Sequence, residues 1–438
     1  MKTGALRLNN SFSLWEKASR LIPNGTQSFS KGPTQFSFGV CPVYLKSGRG
    51  AKVVDVDDNE YIDYGMGLHS AILGYSHQKV TEAVTEGASN GINLTLMHPL
   101  EVEVSEILKA AIPSAQRVRF TKAGSEATSA AIRIARAVTG RDHIAVCGYH
   151  GWHDWFIAVS ERADGIPNAV KELTHKFSYN QIETLESLLA EYKGKMAAVI
   201  MEPCGIVPPK DDFLKKCGDL ARKAGALFIF DEIITGIRWN EGGAQALFGV
   251  TPDLSTFGKT IANGMPISAV VGKAEYMDIL NKPEVFFSST FAGEIVSLSA
   301  CKATMKIVKE EKVIPFIWEK GKRLTADFNK LAESNGLSEF MEMVGFPCRP
   351  VVSFKNNGKN HDPLLMKSFM QQECAKRGLL FTGYFAMSFA HDDKIIDSSL
   401  DIFDDVFKVF KAAVDGPAGK DLTALLEGKV VSPVFRKL

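Results

Sequence analysis

Through the middle of the chain, short runs rich in β-branched and other apolar residues alternate with longer stretches whose apolar residues recur every three or four positions. The runs are RVRFT near Val118, HIAVCG near Ala145, AAVIM near Val199, ALFIF near Phe228 and ISAVVG near Val270. Runs of this kind and length predict the strands of a sheet covered on both faces. The stretches between them, such as EATSAAIRIARAVTG (126–140) and DDFLKKCGDLARKAG (211–225), predict amphipathic helices. Strands that alternate with helices imply an α/β fold, a mostly parallel central sheet covered by helices. Earlier, VVDVDDNEYIDY (53–64) alternates like a hairpin around a polar turn, and residues 13–21 predict a short amphipathic helix that Pro23 stops. After roughly Lys309 the order changes. Helical segments such as FIWEKGKRLTADFNKLAE give way to strands around RPVVSF and to a last helix, LDIFDDVFKVFKAAV. The expected organisation is a large domain over 56–312 and a smaller α+β lobe over 313–438, with residues 1–55 packing against that lobe.

Composition narrows the class. The 438 residues carry 51 Lys+Arg against 50 Asp+Glu, so no basic excess invites nucleic acid or an anionic membrane surface. No apolar stretch approaches the roughly 18 residues that span a bilayer, and the amino terminus lacks the apolar core of a signal peptide. Seven scattered cysteines without a C-x-x-C pair fit a reduced cytoplasmic protein with neither a disulfide framework nor structural zinc.

In open α/β sheets, chemistry gathers where strands end. RVRFT runs into KAGSEAT, where Gly124 and Ser125 open a helix whose free N–H groups suit a phosphate, although an ordinary N-cap by Ser125 accounts for the same residues. HIAVCG runs into YHGWHD. His150, His153 and Asp154 lack the spacing of a metal site, so Tyr149 reads as an aromatic that packs on a loop or stacks on a planar ligand. Asp231 follows four apolar residues and needs a partner, for which a structural ion pair with Arg238 is the plain alternative. Lys259, in DLSTFGKTIANGMPISAVVG, lies between two apolar runs. It is either a side chain whose head escapes to solvent or a desolvated amine. One ligand accounts for all four features. Pyridoxal 5'-phosphate has a phosphate for the helix start, a ring for the aromatic, a pyridine nitrogen for the carboxylate and an aldehyde for the amine.

With these residues in place, the sequence resembles class-III, fold-type-I pyridoxal-phosphate aminotransferases of the glutamate-1-semialdehyde aminomutase-like branch. The likeness runs through YIDYGMGLHSAILGYSH, FTKAGSEATSAAIRIARAVTGRD, YHGWHD, MEP, FDEIITGIR, PDLSTFGKTIANGMPISAVVG, STFAGE and SFAHDD. It implies that Lys259 forms the internal aldimine and shuttles the proton, and that Asp231 holds the pyridinium. It places Ile233 and Tyr149 on the two ring faces, Gly124 and Ser125 on the phosphate, and Glu202 near the cofactor. It further implies a homodimer with shared active sites, in which Thr290 reaches the phosphate held by the other chain. A serine-rich turn capping the helix after STFAGE is the simpler reading of that segment.

The substrate side departs from the pattern. Lys31 stands where the aminomutases carry a carboxylate-binding arginine, and a lysine lacks that bidentate fork. Leu68 and His69 occupy the tryptophan region, and GYFAMSFAHDD contains no arginine. Lys31 and His69 are therefore the expected substrate residues. The implied activity is transfer of an amino group from an amino-acid donor to a small aldehyde or ketone, with wording in TFAGE and STFGKTIANGMPISA that resembles homologues of amino-sugar pathways. The alternatives are the aminomutase isomerisation itself and, from another class, a cofactor-free binding protein that holds a nucleotide phosphate at Ser125.

Overall fold

A computed structural model describes residues 6–356, 362–415 and 422–433, and the chain divides into two units, 1–77 with 315–437 and 78–314. Residues 56–77, assigned to the large domain on sequence, fall in the first unit. The reason is strand pairing. β1 (Leu45–Arg49), β2 (Lys52–Asp55) and β3 (Glu60–Asp63) form an antiparallel meander, and a late strand pairs with β3. The turn between β2 and β3 is fixed by the buried Asp55. Its Oδ1 accepts from the N–H groups of Asp57 and Asn59, and its Oδ2 accepts from the Tyr61 hydroxyl at 2.8 Å.

The second unit holds β4 (Arg117–Thr121), β5 (His143–Cys147), β6 (Thr174–Lys176), β7 (Met196–Met201), β8 (Leu227–Asp231), β9 (Leu254–Phe257) and β10 (Ser268–Gly272). They form one sheet in the order β4-β10-β9-β8-β7-β5-β6. β5 through β9 pair in parallel, whereas β10 runs antiparallel to both β4 and β9. Every residue of β7, β8, β9 and β10 is buried, as expected for strands covered on both faces. The helix Gly124–Thr139 buries Ala127, Ala130, Ala131, Ile134 and Ala135 on one face and ends at Gly140 in the left-handed conformation. The helix Phe213–Lys223 buries Phe213, Leu214, Cys217, Gly218 and Ala221 in the same rhythm. Sequence patterning foresaw both helices to within about two residues, the usual uncertainty at helix ends.

Back in the first unit, β11 (Met341–Phe346) pairs with β12 (Arg349–Phe354), and β13 (Leu379–Leu380) lies parallel to β3. The helix Asp393–Asp415 seats Phe403 and Phe407 against Phe328, with ring centroids 5.1 Å apart in each pair. Such aromatic packing anchors this unit's core. No helix of the described residues is long and apolar enough to cross a membrane.

Candidate active site

Five strand ends of the second unit bring functional groups to one edge of its sheet. β4 leads into Gly124 and Ser125, β5 into Tyr149 and His150, β7 into Glu202, β8 ends in Asp231, and β9 leads through Gly258 to Lys259. Contacts tie the segments together. A Cβ at Gly124 would lie 3.1 Å from Ile233, and one at Gly258 would lie 3.0 Å from the same side chain. Ile233 is thus wedged between the two turns that carry Ser125 and Lys259.

Two glycines shape the loop after β5. Gly148 (φ +106°) and Gly151 (φ +103°) flank Tyr149 and His150, and a Cβ at Gly151 would come within 2.3 Å of Ser125 Oγ. The loop therefore folds down until Ser125 Oγ accepts from the Trp152 N–H at 3.2 Å and Glu202 accepts from the Tyr149 N–H at 2.9 Å. Ser125 is consequently not the N-cap. That position is Ala123, which makes no side-chain cap, so the helix start has no capping side chain to cover its N–H groups. Such a terminus is disposed to hold an anion.

Two buried aspartates show how differently a carboxylate is kept here. Asp253 is a structural ion: Arg222 Nε lies 3.2 Å and Lys273 Nζ 2.7 Å from its Oδ1, while the Phe228 N–H donates to Oδ2 at 2.9 Å. Asp231, 4% exposed, has no Lys or Arg in ion-pair range among the described residues. Its Oδ1 accepts from the Ile233 N–H (3.1 Å) and the Thr256 hydroxyl (3.3 Å), and its Oδ2 lies 2.9 Å from His150 Nδ1. The ion pair with Arg238 considered on sequence is not formed. A desolvated carboxylate without a cation suits a ligand that brings a positive charge. The adjacent Glu232 is structural. It accepts from the N–H groups of Ala244 and Gln245, and burial raises its carboxyl above the usual range.

Lys259 is half-buried and adopts φ +46°, a left-handed conformation that costs a non-glycine residue about 1–2 kcal/mol. Strain of this kind concentrates at functional sites. The Tyr149 ring, half-buried, meets Phe156 edge-on at 5.4 Å. Thr290 is exposed. The helix that follows it is capped by Glu294, which accepts from the Val296 and Ser297 N–H groups and from Lys122 Nζ at 2.7 Å. The serine-rich turn is not the cap. Burial pushes the thiols of Cys41, Cys147 and Cys301 up to about 12, so they stay protonated near neutrality.

The substrate candidates lie in the first unit. Lys31 is exposed at the end of a short turn (Phe29–Lys31). His69 is buried and closes a run, Met66 to His69, in which every φ is positive. Asp63 braces that run by accepting from the Gly65 and Met66 N–H groups and from the Tyr75 hydroxyl. The His69 ring stacks on Tyr384 at 4.4 Å, and Arg349 Nε donates to His69 Nε2 at 2.8 Å. Sequence reading missed Arg349, because it lies 280 residues from His69 and only the fold brings the two together.

An uncapped helix start, a cation-free buried carboxylate, an aromatic and a strained lysine at neighbouring strand ends fit pyridoxal phosphate. This fold and site define a fold-type-I pyridoxal-phosphate enzyme. Residues 37–394 match the family described as aminotransferase class-III, and the chain belongs to it. It is 38% identical to the 3-aminobutyryl-CoA aminotransferase of Cloacimonas acidaminovorans (strain Evry), over 80% of this chain and 85% of that one. It is 32% identical to the glutamate-1-semialdehyde 2,1-aminomutase of Aquifex aeolicus (strain VF5), over 90% and 98%. Among solved structures, an omega-transaminase from Sphaerobacter thermophilus superimposes with a TM-score of 0.83 at 26% identity, covering 91% of this chain and 97% of that one.

Proposed function

We propose that this protein is a transaminase that moves an amino group from an amino-acid donor to a small carbonyl acceptor, with a carbohydrate-derived aldehyde or ketone as a candidate. The carrying observation is Asp231, a buried carboxylate held by an imidazole instead of a cation. Pyridoxal phosphate, when bound, supplies an aldehyde that condenses with amines and a ring that accepts the electron pair left at the substrate carbon. In this reading the Gly124 and Ser125 N–H groups and the Ser125 hydroxyl hold the phosphate. Tyr149 and Ile233 would cover the ring, Asp231 would hold the proton on its nitrogen, and Glu202 fixes the loop that carries Tyr149. Lys259 would supply the amine that holds the aldehyde, and its Nζ would accept and return the proton at the substrate carbon. The reading is tested by a half-reaction screen of amino donors followed by a carbonyl library. No donor-dependent change in the cofactor spectrum would end it.

The second reading is the aminomutase isomerisation, favoured by the identity to the Aquifex aeolicus enzyme. Against it stand Lys31 and the Leu68–His69 pair, at positions where the resemblance calls for other residues. Conversion of glutamate 1-semialdehyde without an added donor distinguishes the two.

Lys31 and His69 are proposed to bind the acceptor, with Arg349 supporting His69. We expect Lys31→Arg and His69→Ala to change acceptor KM severalfold while cofactor affinity stays within about twofold, the outcome of lost ground-state binding. Unchanged constants for every acceptor would remove both residues from the substrate site.

A cytoplasmic homodimer is also proposed. Leu96, Met97, Val102, Phe286 and Phe291 are large, apolar and exposed in the second unit. The chain just before Leu96 and the helix start just after Phe291 meet where the Ile295 N–H donates to the Ile92 carbonyl at 2.9 Å. Clustered exposed apolar side chains mark an interaction surface, and a second copy covering this one would receive Thr290. A hydroxyl-to-phosphate bond contributes about 1.5–3 kcal/mol, so Thr290→Ala should weaken cofactor retention about tenfold or more. Mixed Lys259→Ala and Thr290→Ala chains should form hybrids with one intact site of normal cofactor affinity. A monomer in sedimentation, or hybrids whose working site keeps the Thr290→Ala defect, would exclude sharing.

A further inference from the structure

The helix Pro363–Lys376 of the first unit buries polar side chains as well as apolar ones, with Ser368, Gln371 and Gln372 each at most 1% exposed. A buried amide is unfavourable unless both its oxygen and its nitrogen are bonded, and here both are. Gln371 Oε1 accepts from the Ser37 N–H at 2.9 Å, and its Nε2 donates to the Gln35 carbonyl at 3.0 Å. Gln372 Oε1 accepts from the Glu427 N–H at 2.8 Å, and its Nε2 donates to the Leu425 carbonyl at 3.1 Å. One turn earlier, Ser368 Oγ accepts from the Val431 N–H at 2.9 Å. One helix thus grips the backbones of two segments, 35–37 and 425–431. Those segments also hold each other. The Lys429 N–H donates to the Phe38 carbonyl at 2.8 Å, the Ser37 hydroxyl to the Lys429 carbonyl at 3.0 Å, and the Ser432 N–H to the Thr34 carbonyl at 2.8 Å. Gly428 permits the close approach. A Cβ there would lie 2.4 Å from Ser37 Oγ, 2.8 Å from Val40 and 3.0 Å from the Phe38 carbonyl oxygen. The buried Leu422 and Val431 anchor the late segment near its two ends. The family match stops at residue 394, so this segment lies beyond it.

We propose that residues 422–433 form a strap that positions Lys31 for the acceptor. Lys31 ends the short turn Phe29–Lys31, and a second short turn, Pro33–Gln35, follows directly after Gly32. No residue of either turn is buried, so neither has a core of its own to hold it in place. Order comes from the next few residues. The Thr34 and Gln35 carbonyls, three and four positions after Lys31, are the groups that the strap's Ser432 and the helix's Gln371 engage. A charged group contributes fully to binding only where its supporting backbone is fixed. The strap therefore acts on the acceptor through Lys31, without touching the residues assigned to the cofactor. This inference rests on the proposed role of Lys31.

The test uses full-length holoenzyme and two variants that release the strap from opposite sides. Gly428→Ala drives a methyl into Ser37, Phe38 and Val40, and Gln372→Leu removes both glutamine bonds to the strap while leaving Gln371 in place. The acceptor is pyruvate, or the carbonyl of lowest KM in the library if pyruvate is not turned over. Each variant should raise acceptor KM about 3- to 10-fold while kcat and pyridoxal-phosphate affinity stay within about twofold, the pattern of lost ground-state binding. Backbone amides over 29–41 should exchange hydrogen at least about tenfold faster, as local opening becomes easier. The decisive arm is the double variant. With Lys31→Ala already present, Gly428→Ala should add nothing further to KM, whereas a general loosening of the unit would multiply it by the same factor again. Unaltered exchange, an unaltered KM, or an equal KM increase with and without Lys31 overturns the inference. Lys31→Ala alone is the control. If it raises KM and the strap variants do not, only the strap fails. If it leaves KM unchanged, the Lys31 reading itself fails, and the role of the strap with it.

Discussion

Lys259→Ala should abolish turnover, with kcat lower by at least about 10⁴-fold, because both the covalent link and the proton shuttle are lost. The neighbouring lysine cannot substitute. Lys122, just past the end of β4, is engaged by Glu294 Oε1 at 2.7 Å and Ser297 Oγ at 3.1 Å. The variant should still bind pyridoxal phosphate reversibly, since the Ser125 helix start and Asp231 are untouched. Its fold should be little changed, because alanine inherits the same left-handed backbone at this position and gives up only a half-buried side chain. Borohydride reduction followed by peptide mapping is the decisive measurement. The wild-type enzyme should carry the pyridoxyl label on Lys259 and the variant should carry none. A label on Lys122 or any other lysine overturns the assignment.

What could be read from the sequence was what depends on local pattern. The short β-branched and apolar runs became β4, β5, β7, β8 and β10, and the amphipathic stretches became helices, because period and chain-end signals act within about 15 residues. The residues proposed for the cofactor side follow a related pattern: Gly124, Ser125, Tyr149, Glu202 and Lys259 lie just after strands and Asp231 ends one, and such strands deliver their carboxyl ends to one edge, whereas Thr290 follows only from the resemblance. What escaped was everything set by distant partners. The antiparallel placement of β10 is decided by its pairing with both β4 and β9. The grouping of residues 56–77 with the first unit follows from β3 meeting β13 across more than 300 residues. The meeting of His150 with Asp231 is hidden in the sequence too, because the two lie 81 residues apart and nothing local links them. Glu294 as the cap, in place of the serines before it, was likewise hidden, since its side chain is also drawn to Lys122. Arg349 was hidden for the same reason, since β12 supplies the guanidinium that His69 accepts from across 280 residues.

Asp231→Asn should lower kcat about 10²- to 10³-fold, the range seen when one fixed electrostatic partner of a reacting group is removed. The substitution is nearly isosteric, and the amide oxygen can still accept from the Ile233 N–H and the Thr256 hydroxyl. The amide nitrogen would then face His150 Nδ1, setting donor against donor. His150 must respond by moving its proton to Nε2, where no acceptor exists among the described residues. That leaves a buried N–H unsatisfied, so the variant should also lose about 1–3 kcal/mol of stability. The two losses have separate readouts, kcat on the reconstituted enzyme and denaturant midpoint on the apoprotein. Coupling between the residues gives a further check. In the Asp231→Asn background, His150→Leu should be far less harmful to kcat than in the wild-type enzyme, because the carboxylate that its Nδ1 contacts is gone. Near-normal turnover of Asp231→Asn would make the carboxylate structural, like Asp253, and would remove the observation on which the transaminase reading stands.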